Sequence, residues 1–168
     1  MERSAGIAFG ILFSLILALV LIRMGNSDKK ARTQYDERQN EVRGRAYRWA
    51  FYAVMIYEAA AICLSAGFDS LPADPMLVHF GAVMAGCMVL ASYCIWKDAY
   101  WGLNNNRKRY AVIFIVTSFI NLIPVIGQWM GEGKLGSARI NLMVFVMLVV
   151  IGIELLVKAT VSKAEDEE

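Results

Sequence analysis

The chain has 168 residues, of which 58% are hydrophobic and 19% are charged, and its formal net charge is +2 at pH 7. Soluble domains average about 45–50% apolar and roughly 25% charged residues, so this composition excludes an ordinary water-soluble globular domain. Basic residues cluster at the borders of apolar segments, which argues against a nucleic-acid partner. We therefore predict an all-α integral membrane protein in which the transmembrane helices form a bundle.

The first apolar segment, residues 5–22, contains no charged side chain and is long enough for a helix to cross a hydrocarbon core of ~30 Å. Basic residues follow this segment and no small-residue cleavage site precedes them, which favours a retained anchor over a signal peptide. Gly6, Gly10 and Ser14 form a stripe of small residues that lets another helix approach closely. The stripe can pack inside the protein, which is the commoner use, or pair two copies of the chain.

Residues 31–48 are rich in helix formers and predict a cytoplasmic juxtamembrane helix that continues into the second span. This linker holds the tetrad Asp36, Glu37, Arg38 and Gln39, followed by Arg43, Arg45 and Arg48. Glu41 lies four residues before Arg45, and this spacing predicts a pair between them on one helix face. The arginines lie where anionic lipid headgroups are expected, each contributing about 1 kcal/mol of attraction. The tetrad can bind another cytoplasmic segment through charge-assisted hydrogen bonds, such as the basic residues 107–109, although a solvated charged face is an equal alternative.

The peptide Tyr35-Asp36-Glu37-Arg38-Gln39, followed by Arg43-Gly44-Arg45-Ala46, carries a family resemblance. It resembles the D-E-R-Q peptide that precedes a span in small multi-pass membrane proteins of Gram-positive, especially clostridial, bacteria, to which no activity is assigned. The resemblance implies a bacterial plasma membrane. It carries over no catalytic residue.

The later apolar segments predict four more spans, at residues 49–68, 76–96, 111–129 and 140–157. Prolines, asparagines and glycines mark the three linkers between them as turns, and residues 158–168 form a charged tail. Of the 17 Lys and Arg residues, 14 fall on one side of these five spans. The positive-inside rule therefore places the N-terminus outside and the C-terminus inside.

Glu58 is the charged residue of the second span, and it lies ten residues beyond Arg48, or about 15 Å deep. An ionised carboxylate at that depth is costly and needs a partner. Asn121 has a similar predicted depth in the fourth span, and Thr117 and Ser118 precede it, so we predict one polar cluster. It is a candidate proton or cation site or a contact to another membrane protein, although a neutral Glu that only joins helices fits as well.

The remaining polar groups are less specific. Glu154 and Lys158 have the spacing of an ion pair on one helix face. Asp69, Asp74 and His79 gather near the predicted outer loop but lack the spacing of metal ligands, so no metal is predicted. The three cysteines lie in apolar segments and are expected to be small buried hydrophobes.

Catalytic motifs do not appear in the sequence. There is no phosphate-binding loop, no H-E-x-x-H and no G-x-S-x-G, and a single histidine excludes a haem held by two histidines. We predict a non-enzymatic accessory or regulatory partner of another membrane protein, which acts through its juxtamembrane helix and the layer of Glu58. It is expected to use no cofactor and to contact anionic lipid headgroups and another membrane protein or a second copy. The alternative is a small proton- or cation-coupled transport component using Glu58; an enzyme built on the outer Asp and His residues ranks third.

Overall fold

The computed structural model describes residues 2–67, 74–133 and 135–166, and over these ranges the protein is helical. The five α-helices are α1 (Glu2–Gly25), α2 (Glu37–Gly67), α3 (Pro75–Trp96), α4 (Arg107–Glu132) and α5 (Arg139–Asp166), with a 3-10 turn at Gly136–Ala138. Extended pairing in the described ranges is limited to one isolated bridge between Asn26 and Asn105. The predicted all-α class is thus confirmed.

Four of these helices, α2 to α5, are long and apolar enough to cross a membrane. The membrane-type architecture predicted from composition is confirmed at this level. Helix α1 has 24 residues, and its apolar part with described side chains is the shorter stretch Leu12–Gly25.

The juxtamembrane helix starts later than predicted. Residues 26–36 are irregular, and α2 begins at Glu37 and continues for 31 residues to Gly67. The predicted continuity into the second span is confirmed, whereas helix at residues 31–36 is wrong. The reason is that both backbone groups of Gln34 bond to the second linker: its N–H donates to Asn104 Oδ1 at 2.8 Å, and its carbonyl accepts from the Leu103 N–H at 2.8 Å.

The helices pack as an open row. Helix α2 packs against α3, α3 against α5, α5 against α4, and α4 against α1. In the described ranges α2 contacts neither α4 nor α1. Small residues allow the tightest of these contacts, since Ala46 and Ala50 of α2 are buried. The row positions the linkers at residues 26–36 and 97–106 next to each other at one end.

Candidate functional site

The two linkers build a polar junction, by which we mean residues 26–39 and 97–106. Three amide side chains are buried in it: Asn26, Gln39 and Asn104 have exposed fractions of 0%, 7% and 9%. Buried amides destabilise a protein unless their donors and acceptors are paired. Each of the three is paired, as the following contacts show.

Asn104 joins the second linker to the first through both ends of its amide. Its Oδ1 accepts from the Gln34 N–H at 2.8 Å, and its Nδ2 donates to the Arg32 carbonyl at 2.9 Å and to Asp28 Oδ1 at 3.1 Å. The Asn104 carbonyl also accepts from the Ser27 N–H at 2.7 Å. One residue thereby fixes four positions of the first linker.

Asn26 is the matching anchor at the end of α1. Its Oδ1 accepts from Asn105 Nδ2 at 2.7 Å and from the Tyr110 hydroxyl at 3.0 Å, and its Nδ2 donates to the Lys30 carbonyl at 2.8 Å. The neighbouring Gly25 packs on the Tyr110 ring, where an added Cβ would come within 2.5 Å of the ring. Glycine is therefore required for this close approach of α1 to α4.

The D-E-R-Q tetrad caps α2 and then reaches α3. The Gln39 N–H donates to Asp36 Oδ1 at 2.6 Å while the Asp36 N–H donates to Gln39 Oε1 at 3.3 Å, which is the reciprocal pattern of a capping box. Gln39 Nε2 donates to the carbonyls of Asp98 and Trp101, at 3.3 and 3.1 Å. Arg38 donates to the carbonyls of Lys97 and Asp98, at 3.2 and 3.4 Å.

These contacts correct the partner expected for the tetrad. An internal partner in the second linker was predicted, but it consists of backbone carbonyls after the end of α3 and not of the basic residues 107–109. A cation at a helix C-terminus offsets the negative end of the helix dipole, so Arg38 stabilises α3 electrostatically as well. Glu37 stays exposed.

Titratable groups of the junction respond to this environment. The backbone N–H of Lys30 donates to Asp28 and lowers the pKa of that carboxyl, and Asn104 acts in the same direction. Burial raises the pKa of the Tyr35 and Tyr100 phenols. The junction thus holds one stabilised carboxylate and two neutral phenols.

The three arginines of α2 have different surroundings. The Arg43 guanidinium lies 4.0 Å from the Tyr35 ring centroid and 5.9 Å from that of Tyr47. Arg45 pairs with Glu41 four residues earlier, which confirms that predicted spacing. Arg48 is exposed.

Glu58 pairs with His79 and not with Asn121. His79 Nδ1 lies 3.0 Å from Glu58 Oε1 and 3.1 Å from Oε2, and the Glu58 side chain is 28% exposed. The predicted Glu58–Asn121 contact is wrong because the helices that carry them, α2 and α4, are not neighbours in the row. His79 lies in the second turn of α3, so the pair is near the end of α3 opposite the polar junction.

The predicted partners in α4 form a separate polar group. Asn121 Nδ2 donates to the Thr117 carbonyl at 2.9 Å, and Asn121 Oδ1 accepts from Asn141 of α5 at 3.3 Å. The hydroxyls of Thr117 and Ser118 donate to carbonyls one turn earlier in their own helix. Sequence reasoning missed Asn141, whose only signal was an amide early in an apolar span.

Glu154 and Lys158 do not form the predicted ion pair. Glu154 Oε1 accepts from the Ser92 hydroxyl of α3 at 2.9 Å, and Lys158 Nζ lies 3.2 Å from Asp98 Oδ2. Glu154 Oε2 is buried and has no hydrogen-bond partner among the described residues. Both side chains reach across to α3 or its linker because α5 packs against α3.

The predicted outer group of Asp69, Asp74 and His79 does not form a cluster among the residues that the structure describes. Asp74 accepts from the Met76 N–H at 2.9 Å and caps α3, while His79 belongs to the Glu58 pair. Asp69 lies outside the described residues. Over the described ranges no three His, Cys, Asp or Glu side chains form a metal-binding group.

Two expectations concern small side chains. Gly6 and Gly10 lie outside the residues whose side chains are described, so the stripe that they form with Ser14 stays a prediction. Cys94 is buried as expected, whereas Cys63 and Cys87 are exposed on α2 and α3. They face outward because an open row covers fewer helix faces than the expected bundle.

A cavity of about 930 Å³ lies between α3, α4 and α5. Its far end is lined by apolar side chains such as Phe119, Leu122 and Phe145. Its near end reaches the polar junction and includes Arg43 and Arg107.

Together these features define a helical protein of membrane type in which the buried amide side chains of the described residues lie at one end. Searches of family models, of curated proteins and of solved structures found no match.

Proposed function

We propose that the protein is a non-enzymatic multi-pass protein of a bacterial plasma membrane that acts as an accessory or regulatory partner of another membrane protein. It crosses the membrane five times, with the N-terminus outside and the C-terminus inside, and it uses no cofactor. One observation carries the proposal: α1 packs against α4 alone, at the end of the helix row, and its described apolar side chains are largely exposed.

Helix α1 is held at its base. Gly25 and Asn26 fix it to Tyr110, and a gap of about 520 Å³ separates α1 from α4 above this point, lined by residues such as Val20 and Val112. Further from the junction Leu12 and Leu19 are 58% and 54% exposed. A rigid base with an uncovered apolar arm suits docking of a transmembrane helix from another protein, because helix pairs in lipid form by close packing.

The partner in this proposal docks on α1 and not on the D-E-R-Q helix. Most hydrogen-bonding groups of the tetrad are engaged by α2 and by the second linker, so the tetrad stabilises the base of the arm. A partner therefore meets apolar surface and not the tetrad.

Site-specific photocrosslinking in the native membrane tests this assignment. A photoreactive residue at Ile16 of α1 should give one protein adduct of constant mass, and the matched probe at Ile56 of α2, which is 70% exposed, should give lipid adducts alone. The same products from both positions, or lipid adducts from both, would contradict the proposal. An adduct of twice the chain mass would replace the heterologous partner with a second copy.

The Glu58–His79 pair favours one alternative, a proton- or cation-coupled transport component. The pair places two titratable groups 3.0 Å apart within apolar helices. Glu58→Gln in proteoliposomes should then abolish a flux driven by a pH gradient, with Glu41→Gln as the control at an exposed position. A wild-type protein without flux excludes this alternative.

A further inference from the structure

The cavity between α3, α4 and α5 has the length of a lipid chain. Its lining along α4 runs from Arg107 to Leu122, which is about 22 Å at 1.5 Å per residue. Half of a hydrocarbon core is ~15 Å. The cavity therefore extends from the headgroup level to the depth at which an acyl chain ends.

Polarity changes from one end of the cavity to the other. The far end is apolar, and the near end adds Tyr35, Tyr100 and Asn105 of the polar junction to Arg43 and Arg107. No Asp or Glu is among the described residues that line it. The near end consequently carries two positive charges and no negative one.

Both arginines are available to an anion. Arg43 is held between the aromatic rings of Tyr35 and Tyr47, and neither it nor Arg107 has a carboxylate partner within the described ranges. Other basic side chains are engaged, since Arg45 pairs with Glu41 and Lys158 with Asp98.

The first turn of α4 adds a second reason for an anion. It begins with Arg107, Lys108 and Arg109 and contains no acidic residue. The positive end of the α4 dipole repels these three cations, and a bound anion would offset that repulsion.

We infer that this cavity is a binding site for one anionic phospholipid from the leaflet on the side of the polar junction. The phosphate lies between the guanidinium groups of Arg43 and Arg107, which suit bidentate hydrogen bonding to phosphate oxygens. One acyl chain follows α4 and α5 toward Phe119 and Phe145. A zwitterionic lipid binds less well because its cationic group would face the two arginines. Basic pockets between membrane helices bind anionic headgroups in this manner.

Lipid titration followed by native mass spectrometry tests the headgroup contacts. Delipidated protein in neutral detergent should bind phosphatidylglycerol more tightly than phosphatidylcholine. Arg43→Gln and Arg107→Gln should each weaken phosphatidylglycerol binding about fivefold, and the double variant about 25-fold. The matched control Arg45→Gln with Arg48→Gln removes the same charge outside the cavity lining and should change binding less than about twofold.

The outcomes separate a lipid site from other occupants. Equal losses in both double variants reduce the effect to surface charge and overturn the site, as does equal binding of the two lipids. Glycerol phosphate that competes as well as the intact lipid would show an anion site without a chain. A dimer that excludes phosphatidylglycerol would assign the cavity to a second copy.

A photoreactive lipid tests the chain contacts independently of affinity. Phosphatidylglycerol with a diazirine at the end of one acyl chain should label the peptides around Phe119, Leu122 and Phe145. Labelling that is confined to α2 or spread evenly over all helices would overturn the assignment. Far-UV circular dichroism of each variant checks that the helices remain folded. Failure of the lipid site leaves the α1 proposal intact, since none of the residues substituted or probed in the two tests is shared between them.

Discussion

Asn104 connects the two linkers of the polar junction, because its amide bonds to Gln34, Arg32 and Asp28 while its exposed fraction is 9%. Asn104→Ala leaves the Gln34 N–H and the Arg32 carbonyl without these partners. An unsatisfied buried group costs about 1–3 kcal/mol, so we expect a loss of about 2–3 kcal/mol in the free energy of unfolding. Denaturant unfolding in detergent micelles measures it.

Asn40→Ala is the matched control for this substitution. Asn40 is exposed, and its side chain makes one long bond, 3.4 Å to the Tyr35 carbonyl. Alanine also has the better helix propensity, so the change should stay within about 0.5 kcal/mol. Equal effects at the two positions would show that the junction contributes nothing specific to stability.

Asp28 gives the junction a pH dependence of definite sign. The Lys30 N–H lowers its pKa in the folded protein below the ordinary value of 3.8. The carboxylate therefore stabilises the fold above pH 3.8, and this contribution is lost as the pH falls through the folded pKa. Asp28→Asn should lower the melting temperature at pH 6 and match the wild type at the acid end of the series.

Melting curves between pH 3 and pH 6 test the Asp28 prediction, with Glu37→Gln as the control for altered net charge. A difference in melting temperature between wild type and Asp28→Asn that increases toward low pH would contradict this prediction. Because the Asp28 carboxylate is exposed to solvent, its effect on the melting temperature should be small and confined to this linker.

At the scale of the element, the start of α2 depends on the capping box. Asp36→Ala removes the acceptor of the Gln39 N–H and should lower the free energy of unfolding by about 1 kcal/mol. Hydrogen exchange should rise in the first turn of α2 and at the α3 end that Arg38 contacts. Arg45→Ala, which breaks one exposed pair with Glu41, should cost only about 0.3–0.5 kcal/mol. If Asp36→Ala increases hydrogen exchange in α2 alone, the capping box does not stabilise the end of α3.

The sequence predicted what depends on neighbours along the chain. The apolar segments gave α2 to α5, and the i to i+4 spacing gave the Glu41–Arg45 pair. Glu58 and Glu154 were assigned wrong partners because both bond to α3, through His79 and Ser92. Nothing in a single sequence specifies that α3 lies next to both α2 and α5.

At the scale of the whole molecule, the open row explains why polar groups occur in separate pairs. A closed bundle would bring Glu58 and Asn121 to a common centre, whereas the predicted cluster rested only on their similar depth. In a row each helix has at most two neighbours, so Glu58–His79, Ser92–Glu154 and Asn121–Asn141 form at three different interfaces. The polar junction joins the two linkers at one end of this row.

The polar junction also constrains the membrane orientation, because it holds several segments of the chain on the same side. Asn104 and Asn26 hold the linkers at residues 26–36 and 97–106 at one end, and the Lys158–Asp98 pair holds the last part of α5 there. Basic residues are concentrated in these same segments. All three therefore lie on the same side of the protein, and in the proposed orientation, which rests on the positive-inside rule, that side faces the cytoplasm.

Cysteine labelling at the two ends of α4 tests this orientation. In a variant without the native cysteines, Lys108→Cys should resist a membrane-impermeant maleimide on intact cells and react after permeabilisation. Gly131→Cys, at an exposed site where a Cβ meets no atom within 4 Å, should react on intact cells. Reversed labelling would invert the orientation, and equal labelling of both would show that α4 does not cross. An N-terminal epitope that antibodies reach on intact cells completes the test, because only a crossing α1 separates that terminus from the polar junction.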